Sequence, residues 1–471
     1  MLFRSTMDMG LFYHFGKRRR YFMKKIFLFI TLILVLSSCT PTVLPTTSIL
    51  VDMEIPVEFT VLESPLIHSE LDDLIVLTEN RTSGEVYKIL DWYGSPVVKW
   101  NEVTRDWVSF YYRNPPIASR AYAIVSVAQQ RALDEVHKYN INLESRFPKT
   151  LNNEVLPVEI GCEPFECAVL IGVAESTLLY LFPETKEAIL NQVEEARQSL
   201  ILSGNILPSD LDIGESFGRA IAQNVIAERI NDGASTAGKS DPLPVGEGIW
   251  KPDPFQANPQ APSWGKVTPW LLASPDQFRS APPPENGSPE FLTALDEVYQ
   301  VQQTVTHEQL AIADYWAGNP GTFTPAGYWN LIASQLITEY KLSSVEAGHV
   351  FSTMNMAIMD SGIGCWDSKY HYLVVRPWQA DERIRGLVGY PNHPSYPSGH
   401  SCFSSAGAEV LAFYFPNDAT EIQAKAKEAS ISRLYGGIHY RFDLEAGLEL
   451  GKQVSDLYIE FIVEQGWEIK P

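Results

Sequence analysis

Positive charge, cysteine, strand-like alternation and long apolar runs are all scarce in this chain. Across 471 residues, 36 Lys and Arg stand against 57 Asp and Glu, a formal net charge of −21. An excess of that sign argues against nucleic acid as a partner and against electrostatic docking on anionic lipid. Only 5 cysteines occur, and no His/Cys/Asp cluster has the spacing of a divalent-metal site. Strand signals thin out beyond about residue 100, although β-branched residues scattered over 49–77 leave room for local pairing. The absence of an internal repeat excludes a solenoid. After residue 36 no run is expected to reach the length of a membrane-spanning helix.

What is present is helical periodicity. With 45% apolar residues the chain can bury a large core. Apolar spacing predicts helices over 118–139, 168–181, 186–203, 213–230, 291–317, 329–340, 344–362, 401–415, 418–435 and 443–465. Many of the 32 prolines gather between Pro242 and Pro289, a long irregular connector. The expected architecture is mainly α: two packed helical bundles, over 91–240 and 291–471, joined by the connector 241–290, with the candidate site in the second.

The N-terminus has its own pattern. Lys24-Lys25 precede the apolar run Ile26 to Leu36, followed by Leu36-Ser37-Ser38-Cys39. That is a signal peptide over 23–38 ending in a lipobox, so Met23 is the better start and residues 1–22 an over-called one. Cys39 would become a lipidated N-terminus. Thr40, rather than aspartate, follows it and points to the bacterial outer membrane, facing the periplasm. Residues 39–90 are expected to be a tether and an irregular segment. Cys162 and Cys167 flank four residues, and an oxidising compartment permits a small disulfide loop without requiring one. Cys365 and Cys402 are expected to be buried thiols.

Three blocks near the C-terminus carry the chemistry. They are Lys369-x6-Arg376-Pro377, Pro397-Ser398-Gly399-His400, and Ser432-Arg433-x5-His439-x3-Asp443, all within 75 residues. Lys369 is a compact charge, and the forks of Arg376 and Arg433 can each bind two oxygens. Three cations around one site repel each other unless an anion sits among them. The tetrad precedes an apolar helix, so it offers the N–H groups of a turn and a helix N-terminus, with the Ser398 hydroxyl as a further donor. His400 is placed to move a proton. His439 and Asp443, four apart in a segment of helical character, would share a helix face; the carboxylate then orients the imidazole as nucleophile or ligand. From Trp366 to Asp443 eight acidic and eight basic residues cancel, leaving a neutral island in an acidic protein. The stretch from Pro377 to Pro397, with Arg383 and Arg385, is expected to form a wall or lid.

The three blocks resemble the signature of the superfamily that joins type 2 phosphatidic acid phosphatases, bacterial acid phosphatases and vanadium-dependent haloperoxidases. The resemblance implies that Lys369, Arg376, Ser398, Gly399, His400 and Arg433 hold a phosphate or vanadate, that His439 bonds its phosphorus or vanadium, and that His400 is the acid–base residue.

Four features tilt the resemblance toward the haloperoxidase branch. The chain is about twice as long as a compact acid phosphatase needs. Trp366 sits three before Lys369, where haloperoxidases commonly carry tryptophan, although packing alone would also explain it. His393, seven before His400, resembles the second active-site histidine of bromoperoxidases, although an uncommitted loop histidine reads the same. Blocks upstream, including 114–122, 264–284 and 312–330, extend the likeness over about 95–465. The implied activity is oxidation of iodide or bromide by hydrogen peroxide at a His-bound vanadate. The alternative is hydrolysis of a phosphomonoester or lipid phosphate through a phosphohistidine.

Overall fold

A computed structural model describes residues 65–138, 157–253 and 258–469. The signal peptide, Cys39 and the tether lie outside them. The described chain forms fifteen α-helices and no strand beyond two isolated bridges. In order they are α1 (Pro65–Glu79), α2 (Ser83–Tyr93), α3 (Pro96–Phe110), α4 (Pro115–Lys138), α5 (Pro164–Leu181), α6 (Lys186–Ser203), α7 (Pro208–Arg229), α8 (Pro289–Thr304) and α9 (His307–Tyr315). They continue as α10 (Thr324–Glu339), α11 (Ser344–Tyr372), α12 (Pro377–Ala380), α13 (Gly399–Tyr414), α14 (Ala419–Tyr435) and α15 (Arg441–Gln465).

Most of the expected helices are present, and the exceptions have local causes. Residues 65–90, expected to be irregular with possible strand pairing up to residue 77, lie mostly in α1 and α2 instead. Thr82 caps α2 in a reciprocal box with Glu85, which satisfies two orphan donors at its start. The single helix expected over 291–317 is broken at Val305, where Thr306 and Gln309 form the capping box of α9. Helix α11 runs ten residues beyond the expected Gly362, to Tyr372, and so carries Trp366 and Lys369. Cys162 and Cys167 are disulfide-bonded, closing the turn that enters α5. Against expectation, α5 is long and apolar enough to span a membrane, but 72% of it is buried inside the protein. It is a core helix, packed against α4, α6 and α7.

Helix α11 organises the rest. Nearly every residue from Ala347 to Lys369 is buried, with α4 on one side and α13 and α15 on another. A helix enclosed all round has no need of an amphipathic stripe. The proline-rich connector lies along it. The buried Asp360 carboxylate accepts from the backbone N–H groups of Trp270 (2.8 Å), Leu271 (2.9 Å) and Leu272 (3.2 Å), and from the Tyr458 hydroxyl (2.9 Å). One turn before the end of α11, Asp367 accepts a two-pronged bond from Arg279 (2.6 and 2.9 Å). These bonds fix an irregular segment that has little periodic apolar burial of its own.

Candidate functional site

The three sequence blocks converge where α11 ends, α13 begins and α15 begins. Lys369 projects from the last turns of α11, fully buried, and its ammonium donates to the carbonyls of Pro394 (3.0 Å), Ser395 (2.8 Å) and Pro397. All three of its protons are therefore committed to the loop that leads into the Ser398-Gly399-His400 turn. Ser398 is the N-cap of α13, its hydroxyl accepting from Ser401 N–H. Gly399 follows as the first helical residue, so close to Trp366 that an added Cβ would lie 3.3 Å from the indole. The N–H groups of this first turn have no partner within the helix and mark the positive end of its dipole.

Arg376 links the blocks. Its Nε donates to His393 O (3.0 Å), its Nη1 to Ile438 O (2.7 Å) and to His439 Nε2 (3.0 Å), and its Nη2 to His393 Nδ1 (3.1 Å). A guanidinium only donates, so both imidazole nitrogens facing it must be acceptors. His439 accordingly carries its proton on Nδ1, which donates to Asp443 Oδ2 at 2.7 Å. His393 Nδ1 also lies 3.3 Å from Pro394 O, and its ring packs against Trp366 with centroids 5.1 Å apart.

The His439–Asp443 contact forms, but not on a helix face. Helix α14 ends at Tyr435 and α15 starts at Arg441, so His439 lies in the connecting turn and Asp443 in the first turn of α15. The left-handed Gly437 at φ 69° bends that turn, and the imidazole swings back onto the helix N-terminus. Arg433, on the last turn of α14, donates from Nε to Ser432 Oγ (2.8 Å) and from Nη2 to Ala313 O (2.5 Å). His400 lies partly buried at the rim, its Nε2 donating to the carbonyls of Trp316 (2.8 Å) and Ala317 (3.2 Å). Carbonyls only accept, so Nδ1 is the free base of the neutral ring.

The electrostatics follow from burial. Desolvation pushes Lys369 down to about 8, Arg376 to about 10 and Arg433 to about 9. Among the described residues no carboxylate is a hydrogen-bond partner of these three cations. Burial, with Arg376 and Lys369 beside them, holds His393 and His439 well below the ordinary histidine range; burial and Arg433 do the same to His400. Burial raises Asp443 to about 6, against the hydrogen bond from Ser395 and the charges of Lys369 and Arg376. Against these three buried cations stand Asp443, already bound to a histidine and acting on Lys369 and Arg376, and Asp314, acting on Arg433, so the site keeps an excess of positive charge that an oxyanion would relieve.

The two arginines expected in the wall or lid turn to local partners. Arg383 is exposed, paired with Asp381 Oδ2 at 2.7 Å and lying over the Tyr299 ring at 4.2 Å. Arg385 donates to the carbonyls of Glu382 and Ile384. Both serve the outer wall, because local carboxylate and carbonyl partners outcompete the pocket. Sequence reasoning missed Ser395, whose hydroxyl donates to Asp443 Oδ2 at 2.5 Å. Its one signal is a serine between two prolines just before the Ser-Gly-His turn.

Residues 349–464 match the PAP2 superfamily, and residues 23–40 match the prokaryotic membrane lipoprotein lipid attachment site, which implies a lipid-anchored protein of the cell envelope. Vanadium chloroperoxidase of Curvularia inaequalis is 23% identical over 197 residues, 33% of this chain and 32% of that one. Undecaprenyl-diphosphatase of Sulfolobus acidocaldarius is 34% identical over 94 residues, 20% of this chain and 46% of that one. The chain thus spans about a third and about half the length of these two relatives. Among solved structures, a bacterial vanadium-dependent iodoperoxidase superposes with a TM-score of 0.62 at 24% identity, covering 77% of this chain and 94% of that one. A holo-type bacterial vanadium-dependent chloroperoxidase superposes with a TM-score of 0.55 at 17% identity, covering 75% and 94%. The chain contains a PAP2-superfamily domain, set in the all-α fold of the vanadium-dependent haloperoxidases.

Proposed function

We propose that this protein is a vanadium-dependent haloperoxidase-like enzyme that oxidises iodide or bromide with hydrogen peroxide, anchored through Cys39 in the outer membrane and facing the periplasm. The observation that carries the oxyanion site is the buried Lys369–Arg376–Arg433 group around the His439–Asp443 pair, cations whose hydrogen bonds among the described residues include no carboxylate. The likeness to the iodoperoxidase over 94% of that chain supports the peroxidase branch.

The donor set suits a vanadate. His439 Nε2 would be its ligand, because Asp443 holds the ring with that nitrogen unprotonated; Arg376 Nη1, which donates to it at 3.0 Å, would turn to an oxygen of the anion instead. Arg376, Arg433, Ser398 and the N–H groups of Gly399 and His400 would hold its oxygens. Lys369, its protons committed to carbonyls, contributes charge through space and fixes the loop. The chemistry such a group would supply there is that of a Lewis-acidic centre toward hydrogen peroxide. His400, kept neutral, accepts a proton from the incoming peroxide at Nδ1 while Trp316 O and Ala317 O fix its ring. Trp366 and His393 form the wall nearest Lys369 and Arg376, where a halide would approach.

The second reading is a phosphatase, favoured by the diphosphatase relative and the PAP2 match. His439 would attack phosphorus, the same cations would stabilise the oxygens, and His400 would protonate the leaving alcohol. The test is halide oxidation by the full chain in mild detergent, with orthovanadate, hydrogen peroxide and iodide or bromide. A parallel sample receives a chromogenic phosphomonoester without vanadate. Vanadate-dependent oxidation supports the first reading; phosphate release that vanadate inhibits, with no oxidation, replaces it with the second. Cys39→Ser should move the protein from the membrane to the soluble fraction.

A further inference from the structure

We propose that Ser395 is a positioning residue for the oxyanion site, locking the Asp443 carboxylate, and through it the His439 ring, to the loop that Lys369 holds. The proposal rests on the oxyanion reading above and names a residue that reading does not use. Ser395 is fully buried and all its polar atoms are bonded. Its hydroxyl donates to Asp443 Oδ2 (2.5 Å), its carbonyl accepts from Lys369 Nζ (2.8 Å), and its N–H donates to Val374 O (3.0 Å). Three segments therefore meet at one small residue: the end of α11, the stretch running from Val374 into Arg376, and the first turn of α15.

Three donors converge on one oxygen of Asp443. Asp443 Oδ2 accepts from Ser395 Oγ, from His439 Nδ1 (2.7 Å) and from Tyr440 N–H (3.1 Å), while Oδ1 has no protein partner. A carboxylate turns easily about its last bond, since terminal sp³–sp² torsions are broad and two-fold. The serine hydroxyl pins the rotamer that presents Oδ2 to the imidazole. It donates to the group that orients the ligand, at the short length of a charge-assisted bond. Without it the carboxylate plane can twist away from the imidazole, and the ring loses its fixed aim. Ser395 touches no oxyanion, so its influence reaches the chemistry only through Asp443.

The test uses the full chain in detergent, orthovanadate titrated by calorimetry, and the proton spectrum of the protein alone. A strongly hydrogen-bonded His439 Nδ1–H should give a downfield resonance, assigned by its loss in His439→Gln. Ser395→Ala should weaken orthovanadate binding about 10- to 100-fold, the usual cost of losing a partner behind a ligand, and should shift or broaden that resonance. In an Asp443→Asn background the same serine change should cost less than about threefold, because its target is gone. Unchanged affinity and resonance in folded Ser395→Ala, or an equal loss in the Asp443→Asn background, overturns the proposal. Should the alanine variant not fold, Ser395→Cys, similar in bulk but a weak donor, carries the same comparison. A wild-type chain that binds no orthovanadate defeats the oxyanion reading, and the resonance alone then decides the role of Ser395.

Discussion

Two helix pairs in this molecule use the same packing device for different ends. In the N-terminal half, α5 and α7 approach at Gly172, Gly214 and Gly218; an added Cβ at Gly218 would lie 2.0 Å from Val169 O, and one at Gly172 would lie 2.0 Å from Glu215 O. In the C-terminal half, α13 and α15 approach at Gly447 and Gly451; their added Cβ atoms would lie 2.6 Å from Ser398 O and from Cys402 O. Both faces place glycines four apart, so that backbone meets backbone. Around the first contact lie Phe165, Ala168, Val169 and Val173, and the approach serves burial. Beside the second, Ser398 N–H donates to Asp443 O at 2.8 Å, and the approach brings a helix N-terminus to the carboxylate that holds His439. Close packing stabilises either pair. Only in the second does it also set the geometry of a polar site.

The comparison can be broken at its chemical end first. His439→Ala should reduce orthovanadate affinity by more than about 100-fold, exceeding the loss for an outer-shell partner, as read by calorimetry; a binding constant within tenfold of wild type would remove His439 from the site. Next comes the matched pair of glycine substitutions. Gly447→Ala and Gly218→Ala should each cost about 1–3 kcal/mol of stability through overpacking, measured by denaturant unfolding. Gly447→Ala should also weaken oxyanion binding, whereas folded Gly218→Ala should bind as wild type does. Equal binding losses in both would mean that the two pairs do not differ in function.

The sequence shows the site better than it shows the frame that holds it. Lys369, Arg376, Ser398, Gly399, His400, Arg433, His439 and Asp443 stand out because charge, imidazole and a Ser-Gly turn recur at set spacings. The structure brings them together. The long helices stand out because apolar periodicity persists for many turns. Less legible are contacts made by backbone: the carbonyls under Lys369, those that accept from His400, and the Gly-x3-Gly approaches carry no side-chain signal of their own. Gly214 to Gly218 and Gly447 to Gly451 are visible once such a spacing is sought on two neighbouring helices. Helix α2 was hidden because its periodicity is short, and its capping box, Thr82 with Glu85, is the signal that would have revealed it. The His439–Asp443 spacing reads as a shared helix face, yet an i,i+4 pair fits a loop that folds back on a helix start equally well.

At pH values below neutrality the two regions should part again. Asp443 has its carboxyl raised to about 6 by burial, so acid protonates it earlier than an ordinary aspartate. The raised value has a definite sign: the charged form is the one disfavoured in the folded protein, and it is also the form that accepts from His439 Nδ1. Lowering the pH through about 6 should therefore weaken orthovanadate binding progressively, by up to about tenfold per unit once Asp443 is protonated. Asp443→Asn should bind weakly and lose that dependence. The α5–α7 pair has a burial-raised carboxyl of its own, Glu215, paired with Arg197 and Arg219, but that carboxyl holds no ligand histidine, and the Cys162–Cys167 disulfide beside it does not titrate. Reducing that disulfide should cost about 2 kcal/mol, as expected for so short a loop, and should leave oxyanion affinity unchanged at every pH. A drop in affinity on reduction, in protein that stays folded, would show that strain at the entrance to α5 reaches the site through α4 and α11, and the two helix pairs would then be one mechanical unit.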